Sequence, residues 1–392
     1  MSAADPTVIV SATRTPMGGF QGALGHLSAP ELGAVAISAA VEKSGVQQDE
    51  ISELLMGCVL SAGVGQAPAR QAALKGGLPN SLPCSTISKV CGSGMKAVML
   101  ANDQIQSGSA SVVVAGGMES MTNAPYLLDK ARGGYRLGHG RTIDHMFYDG
   151  LEDAYEKGTL MGEFAERTAQ YFQFTRQAQD DVALRSLSRA NDAIKNGRFD
   201  SEVAACKTKS GELFRTDEQP GKAKVEKIPA LKPAFDKNGT VTAANSSSIS
   251  DGAAALVMMR LSEAEKRGVK PLAMIRGHSS HAQEPQWFTT APVGAIEKLL
   301  QKTGWRKDGV DLYEINEAFA VVLMAVQQQL SLSSDSVNIH GGACALGHPI
   351  GASGARILVT LIHALKQYNL SKGIASLCIG GGEATAVAVE IV

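Results

Sequence analysis

Ser88-Lys89-Val90-Cys91-Gly92-Ser93-Gly94-Met95-Lys96 is the stretch that organises this 392-residue chain. A short polar approach reaches a cysteine, a glycine turn follows, and Met95, Val98, Met99 and Ala101 then recur at helical spacing as far as Ser107-Gly108. The pattern predicts a turn and then a helix with Cys91 at its N-terminal end. A helix start offers unpaired N–H groups and roughly half a positive charge. Both favour a thiolate, so the thiol is expected below the ~8.5 of free cysteine. Gly92 and Gly94 would let backbone or substrate approach closely. The alternative at this point is a buried structural cysteine, a common place for that residue type.

Working outward, Val8-Ile9-Val10 opens a first strand. Ser28-Ala29-Pro30-Glu31 forms a capping box for a helix that Gly45 stops. Ile51 to Leu60 is strand-like, and Ser111 to Val114 is a strand running into Gly116-Gly117. Alternating strands and helices predict a mostly parallel sheet covered by helices. The same order returns later. Lys43-Ser44-Gly45 is echoed by Lys302-Thr303-Gly304, Asp49 by Asp308, Gly92-Ser93-Gly94 by Ala352-Ser353-Gly354, and Ser111 to Gly116 by Ala375 to Gly380. The offsets of 259, 259, 260 and 264 grow slowly, as two copies with small insertions require. Two similar α/β halves paired about a pseudo-twofold would bring the Cys91 helix start near residues 348–354. The predicted organisation is residues 1–120 with 251–271 as the first half, 121–250 as an insertion, and 272–392 as the second half.

The insertion contains a helix capped by Thr175 and stopped by Gly197, then a polar stretch. From Lys207 to Lys237 there are eight Lys/Arg and five Asp/Glu, a local +3. This is either a solvated loop or a landing area for a phosphorylated ligand. The whole chain carries a net charge of −1, which argues against nucleic-acid binding. Six cysteines without a CxxC pair or zinc spacing point to reduced thiols in a cytoplasmic protein with no metal. No secretory signal and no apolar run of ~18 residues is present, so no membrane span is expected.

Three further polar clusters are set among glycines. Glu314-Ile315-Asn316-Glu317-Ala318-Phe319 follows a strand-like Val310 to Tyr313; its amide could orient a water or simply cap a helix. Gly341 to Gly354 holds five glycines in fourteen residues, with His348 fixed before Pro349 as a base candidate. Leu377-Cys378-Ile379-Gly380-Gly381-Gly382 ends a strand with a second cysteine and three glycines. Neither GxGxxG nor GxxxxGK[ST] is present to cradle a nucleotide. One histidine and two cysteines at glycine-rich turns suit acyl transfer with carbon–carbon bond formation.

These segments resemble the thiolase family over essentially the whole chain. Cys91-Gly92-Ser93-Gly94 is similar to its nucleophile motif and Gly116-Gly117-Met118-Glu119-Ser120-Met121 to its GGMESM. Asn316-Glu317-Ala318-Phe319 matches its NEAF, Gly347-His348-Pro349 with Gly351-Ala352-Ser353-Gly354 its GHPxGxSG, and Cys378-Ile379-Gly380-Gly381-Gly382 its CxGGG. The resemblance implies a five-layer αβαβα fold of two duplicated halves with an inserted loop domain. It implies acetyl-CoA C-acetyltransferase activity through an acyl-enzyme. Cys91 would be the acylated nucleophile, His348 its base, and Cys378 the acid/base for the second acetyl-CoA. His348 with an Asn316-held water would form one oxyanion hole, and the N–H groups of Cys91 and Gly380 the other. Ser247, within Thr242 to Ser247, would contact pantetheine together with Ala243, while Met161, Ala318 and Phe319 would line the acyl pocket. Acetyl-CoA, acetoacetyl-CoA and CoA are then substrates and products, no cofactor is needed, and a homotetramer is the family's habit.

The chain departs from the family pattern in four places. Leu160 precedes Met161-Gly162 where histidine is frequent. Ser246-Ser247-Ser248-Ile249-Ser250-Asp251 replaces an Ala-Ser-Gly-Leu-Asn-Asp run. His340 stands where asparagine is frequent. Pro220-Gly221-Lys222 occupies the place of a nucleotide-holding arginine, leaving Lys222 or Lys224 as a point-charge substitute. The alternatives are a degradative 3-ketoacyl-CoA thiolase of fatty-acid β-oxidation and a non-catalytic acyl-CoA or lipid carrier.

Overall fold

The computed structural model describes residues 5–392. The strands that build the centre are β1 (Thr7–Arg14), β2 (Glu53–Gly57), β3 (Cys84–Ile87), β4 (Val112–Ser120), β5 (Ser250–Arg260), β6 (Ala273–Ala282), β7 (Leu312–Ile315), β8 (Lys372–Ile379) and β9 (Glu383–Ile391). The helices that cover them are α1 (Ala29–Ser44), α2 (Pro68–Lys75), α3 (Ser93–Ser107), α4 (Met161–Phe172), α5 (Arg176–Lys195), α6 (Ala291–Thr303), α7 (Ala320–Leu330) and α8 (Ile350–Gln367). The capping box at Ser28 is formed: Glu31 accepts from the Ser28 N–H at 2.9 Å. The stops Gly45 and Gly304 both adopt left-handed backbone, with φ of 71° and 68°, which glycine takes without a Cβ clash. The strand expected at Ile51–Leu60 occupies only Glu53–Gly57, and that expected at Val310–Tyr313 runs later, over Leu312–Ile315.

The strands lie in the order β7-β8-β9-β6-β1-β5-β4-β2-β3, with Gly18–Gly19 paired to β5 as the tenth strand. The doubling is written in this order. β2 runs parallel to β4, β4 antiparallel to β5, and β5 antiparallel to β1, so the sheet is mostly antiparallel and not the mostly parallel one that alternating strands and helices predict. In the second copy β7 runs parallel to β8, β8 antiparallel to β9, and β9 antiparallel to β6. A parallel bridge between Tyr313 and Val337 takes the place that β3 holds beside β2. The halves join where β1 meets β6, antiparallel, with Val8 opposite Met274 and Ile9 opposite Ala273. Two antiparallel neighbours are related by a local twofold, so the halves face each other about that axis. Between β4 and β5 the chain inserts residues 121–249, whereas in the second copy β8 and β9 are linked by Gly380–Gly382 alone.

Three cores separate five layers. Along β4, Val113 points into the central core while Val112 and Val114 point into an outer one, the period-2 alternation of a strand buried on both faces. The central core holds Met95 and Val98 of α3 and Ile357, Leu358 and Leu361 of α8, between Val113 and Leu377 of the two half-sheets. Leu32 and Ile37 of α1 with Ala72 of α2 cover the first half-sheet. Ile296 and Leu299 of α6 with Leu323 and Val326 of α7 cover the second. The architecture is therefore αβαβα, as the resemblance implies.

Glycines decide how the central layer meets. A Cβ on Gly94 would stand 2.9 Å from the Gly351 carbonyl and 3.1 Å from Ala355 N, and one on Gly354 would stand 2.6 Å from Met95 N. The repeated Ser-Gly thus lets the starts of α3 and α8 touch. That contact places Cys91 and His348 on one side of the molecule, as the pseudo-twofold predicts.

Candidate active site

Cys91 sits in the turn between β3 and α3. Val90, just before it, has φ +45°, a left-handed conformation that is an outlier for a β-branched residue. Ser93 holds the turn: its hydroxyl donates to Val90 O at 2.6 Å and accepts from Lys89 N at 2.8 Å. The turn lies hard against the end of β8, because a Cβ on Gly92 would meet Ile379 Cδ1 at 2.4 Å. The backbone N–H groups of Gly380 and of Cys91 itself favour the charged form of the thiol. The sequence predicted a thiol lowered by the helix end. Instead burial pushes Cys91 up to about 11, and the two N–H donors offset only part of that rise. α3 begins two residues after Cys91, and burial of the sulfur outweighs the helix end.

His348 follows Gly347, whose φ is +101°. Its N–H donates to Ser248 O at 3.1 Å, which ties His348 to the insertion. Its Nδ1 lies 2.6 Å from Ser353 Oγ, and that oxygen is 3.0 Å from Pro349 O. With the Ser353 hydroxyl donating to Pro349 O, Nδ1 carries the hydrogen and donates to Ser353 Oγ. Nε2 is left with its lone pair, the tautomer a base needs. Burial, helped by the Arg356 guanidinium, pushes His348 down to about 3, so the ring is neutral at rest.

Asn316 is fully buried, its Nδ2 standing 3.5 Å from each ring nitrogen of His348 and its Oδ1 without a partner. It caps no helix: α7 starts at Ala320, preceded by Phe319. Cys378, at the end of β8, packs with Phe164, Phe319 and Val322 and is fully buried. Burial raises its thiol well above the ordinary value, and the neighbouring Cys91 adds to the rise. Glu119, within the GGMESM segment, accepts from Val59 N, Leu60 N and Gly351 N at 3.1, 3.1 and 2.9 Å. It clamps the end of β2 to the start of α8, and burial lifts its carboxyl to about 7.

A cavity of about 350 Å³ opens onto these groups. Cys91, His348, Gly380, Met161, Ala243, Ser247, Ala318 and Phe319 all line it. Ser247 N donates to Ala318 O at 2.9 Å, joining the insertion to the NEAF segment. Lys222 stands apart. It is exposed on a surface turn and paired at 2.5 Å with Glu218, four residues earlier. Sequence reading passed over Phe235, Phe288 and Ile350 in the lining. Phe235 packs edge-on against Phe319 at 6.0 Å, and a lone aromatic in a polar stretch was the one available signal. The Ser353 and Glu119 contacts join residues whose pairing no periodicity reveals. Among the described residues, no helix is long and apolar enough to cross a membrane.

A family signature described as the thiolase N-terminal domain matches residues 7–262, and the thiolase C-terminal domain matches 269–391. The acetyl-CoA acetyltransferase of Cupriavidus necator is 49% identical over 389 residues, covering 98% of both chains. That of Escherichia coli is 49% identical over 388 residues, again covering 98% of each. Among solved structures, the Acat5 thiolase of Ascaris suum in complex with coenzyme A is 42% identical, with a TM-score of 0.94 over 99% of this chain and 100% of that one. The acetyl-CoA acetyltransferase of Bacillus anthracis is 42% identical, with a TM-score of 0.96 over the full length of both.

Proposed function

The chain belongs to the thiolase family, and on that premise we propose that it joins two molecules of acetyl-CoA into acetoacetyl-CoA and CoA, and runs the reverse thiolysis. The observation that carries this is one cavity lined by a cysteine, a histidine in its basic tautomer and a glycine N–H, with a second cysteine packed behind. Because both thiols rest protonated, no thiolate–imidazolium pair is formed in advance. His348 Nε2 takes the Cys91 proton as sulfur attacks the thioester carbon. The C–S bond to CoA then breaks, and the proton passes to the departing CoA sulfur. Cys91 holds an acetyl thioester. Cys378 hands its own proton to the freed His348 Nε2, and its thiolate then removes a proton from the methyl carbon of a second acetyl-CoA. That carbon attacks the Cys91 thioester, acetoacetyl-CoA leaves, and the sulfur of Cys91 recovers the proton.

The N–H groups of Cys91 and Gly380 stabilise the oxyanion on the acyl-enzyme; Asn316 through a water, with His348, serves the CoA thioester oxygen. Ser247 and Ala243 border the pantetheine arm, and Met161, Ala318 and Phe319 the acyl end. CoA thioesters are the substrates and no further cofactor takes part. Lys222 must leave Glu218 to reach the nucleotide phosphates. The reaction belongs in the cytoplasm, in keeping with six free cysteines. A homotetramer is supported by exposed Tyr126, Leu128, Tyr135 and Leu137 on one excursion of the insertion and is tested by light scattering.

Labelled acetyl-CoA tests the chemistry. The wild type should take up label, Cys91→Ala should not, and Cys378→Ala should take up label yet form no acetoacetyl-CoA. Label persisting on Cys91→Ala would refute the assignment. A marked preference for 3-ketoacyl-CoA of eight or more carbons over acetoacetyl-CoA would move the chain to the degradative branch.

A further inference from the structure

The N–H groups of Cys91 and Gly380, the proposed oxyanion donors of the acyl-enzyme, come from opposite halves of the chain, 289 positions apart in sequence (380 − 91 = 289). Each sits on a turn with unusual backbone. Val90 at φ +45° precedes Cys91, and Gly381 and Gly382, at φ +91° and +86°, follow Gly380. Neither turn belongs to a helix or strand that would hold the donors at a set separation. The apolar contact between them is Gly92 against Ile379. One side-chain bond also spans the gap: Lys89 Nζ is ion-paired with the carboxylate of Glu383. Lys89 lies two residues before Cys91, and Glu383 three after Gly380. Among the described residues no other side-chain hydrogen bond or salt bridge joins 88–93 to 379–383. Each end is anchored in turn. The Lys89 backbone is held by Ser93 Oγ at 2.8 Å and by Gly92 N at 3.0 Å. Glu383 opens β9 opposite Ile379, and Gly382 O accepts from Gln283 N at 2.8 Å.

We propose that Lys89 and Glu383 are positioning residues that set the spacing of the Cys91 and Gly380 N–H donors across the two halves. This rests on the reading of those donors as the oxyanion hole of the acyl-enzyme. Neither side chain lines the cavity. Donors of this kind act only when aimed at the place where charge develops, so a displaced turn should affect turnover and leave binding alone. Both side chains are partly exposed, at 21% and 37%. An exposed pair adds little to stability, which keeps their variants folded.

The test measures steady-state thiolysis of acetoacetyl-CoA, the burst of CoA release from acetyl-CoA, and the thermal midpoint. Variants are Lys89→Gln, Glu383→Gln and the swap Lys89→Glu with Glu383→Lys. Each single variant should lower kcat about 5- to 20-fold, consistent with the partial loss of a donor worth more than tenfold, with KM within about twofold and the midpoint unmoved. The swap should recover most of the loss. Single variants within twofold of wild-type kcat, or a loss that the swap does not recover, would overturn the proposal. Absence of a CoA burst from the wild type would instead overturn the acyl-enzyme reading itself.

Discussion

Replacing Ser353 with alanine should cripple turnover without touching a substrate atom. The hydroxyl accepts from His348 Nδ1 at 2.6 Å while donating to Pro349 O, and both residues are buried. Without it, a ring N–H on Nδ1 would be buried with no acceptor, at a cost of about 1–3 kcal/mol. The ring escapes that cost by moving hydrogen to Nε2, which removes the lone pair aimed at the cavity. The base-competent tautomer then falls to a minor population, and at 1.36 kcal/mol per tenfold kcat should drop about 5- to 150-fold. KM should stay within about twofold because the cavity lining is unchanged. The assay is thiolysis of acetoacetyl-CoA, read beside the thermal midpoint and the 15N shifts of labelled histidine. A variant with wild-type kcat and an unshifted His348 resonance would refute the tautomer assignment.

Two other expectations follow from burial. With Cys91 raised to about 11, its thiolate fraction at pH 7.5 is ~300-fold below that of a free cysteine at ~8.5; the alkylation rate of Cys91 by iodoacetamide should climb about tenfold per pH unit from 7 to 10, because an acid of raised pKa keeps its proton longer. A plateau below pH 8 would mean a preformed thiolate. Arg14, fully buried, donates to Glu202 at 2.5 Å and to Asp217 at 2.7 and 2.9 Å, so Arg14→Met should strand two carboxylates and destabilise the fold by about 3–5 kcal/mol. An unchanged guanidinium unfolding midpoint would count against that triad.

How much of this was legible beforehand depends on how far apart the partners lie. Turns and helix starts are local, so Gly45, Thr175 and the Cys91 and His348 loops could be read directly. The duplication could be read because it repeats residue types at a slowly growing offset. Partners brought together only by folding could not: Arg14 with Glu202 and Asp217, Glu119 with Gly351, Lys89 with Glu383. The ionisation of Cys91 was misjudged for the same reason. Its helix end is visible in nine residues, whereas the surroundings that bury the sulfur are brought in by folding, with Gly380 beside it from the other end of the chain. Lys222 was singled out as the cation nearest the place of the family's nucleotide-holding arginine, and Glu218, four residues earlier, pairs with it.

The join between β1 and β6 has a consequence for how such a site can arise. A chain of half this length, paired with a second copy about the same axis, would carry two identical clefts, each forced to the same residues. Fusing the copies frees them to diverge. One linker between equivalent strands remains a three-glycine tip that supplies an N–H, while the other swells to 129 residues, from 121 to 249, and roofs the cavity. One cysteine can then become the carrier of the acyl group and the other the mover of protons, a division of labour that strict symmetry forbids.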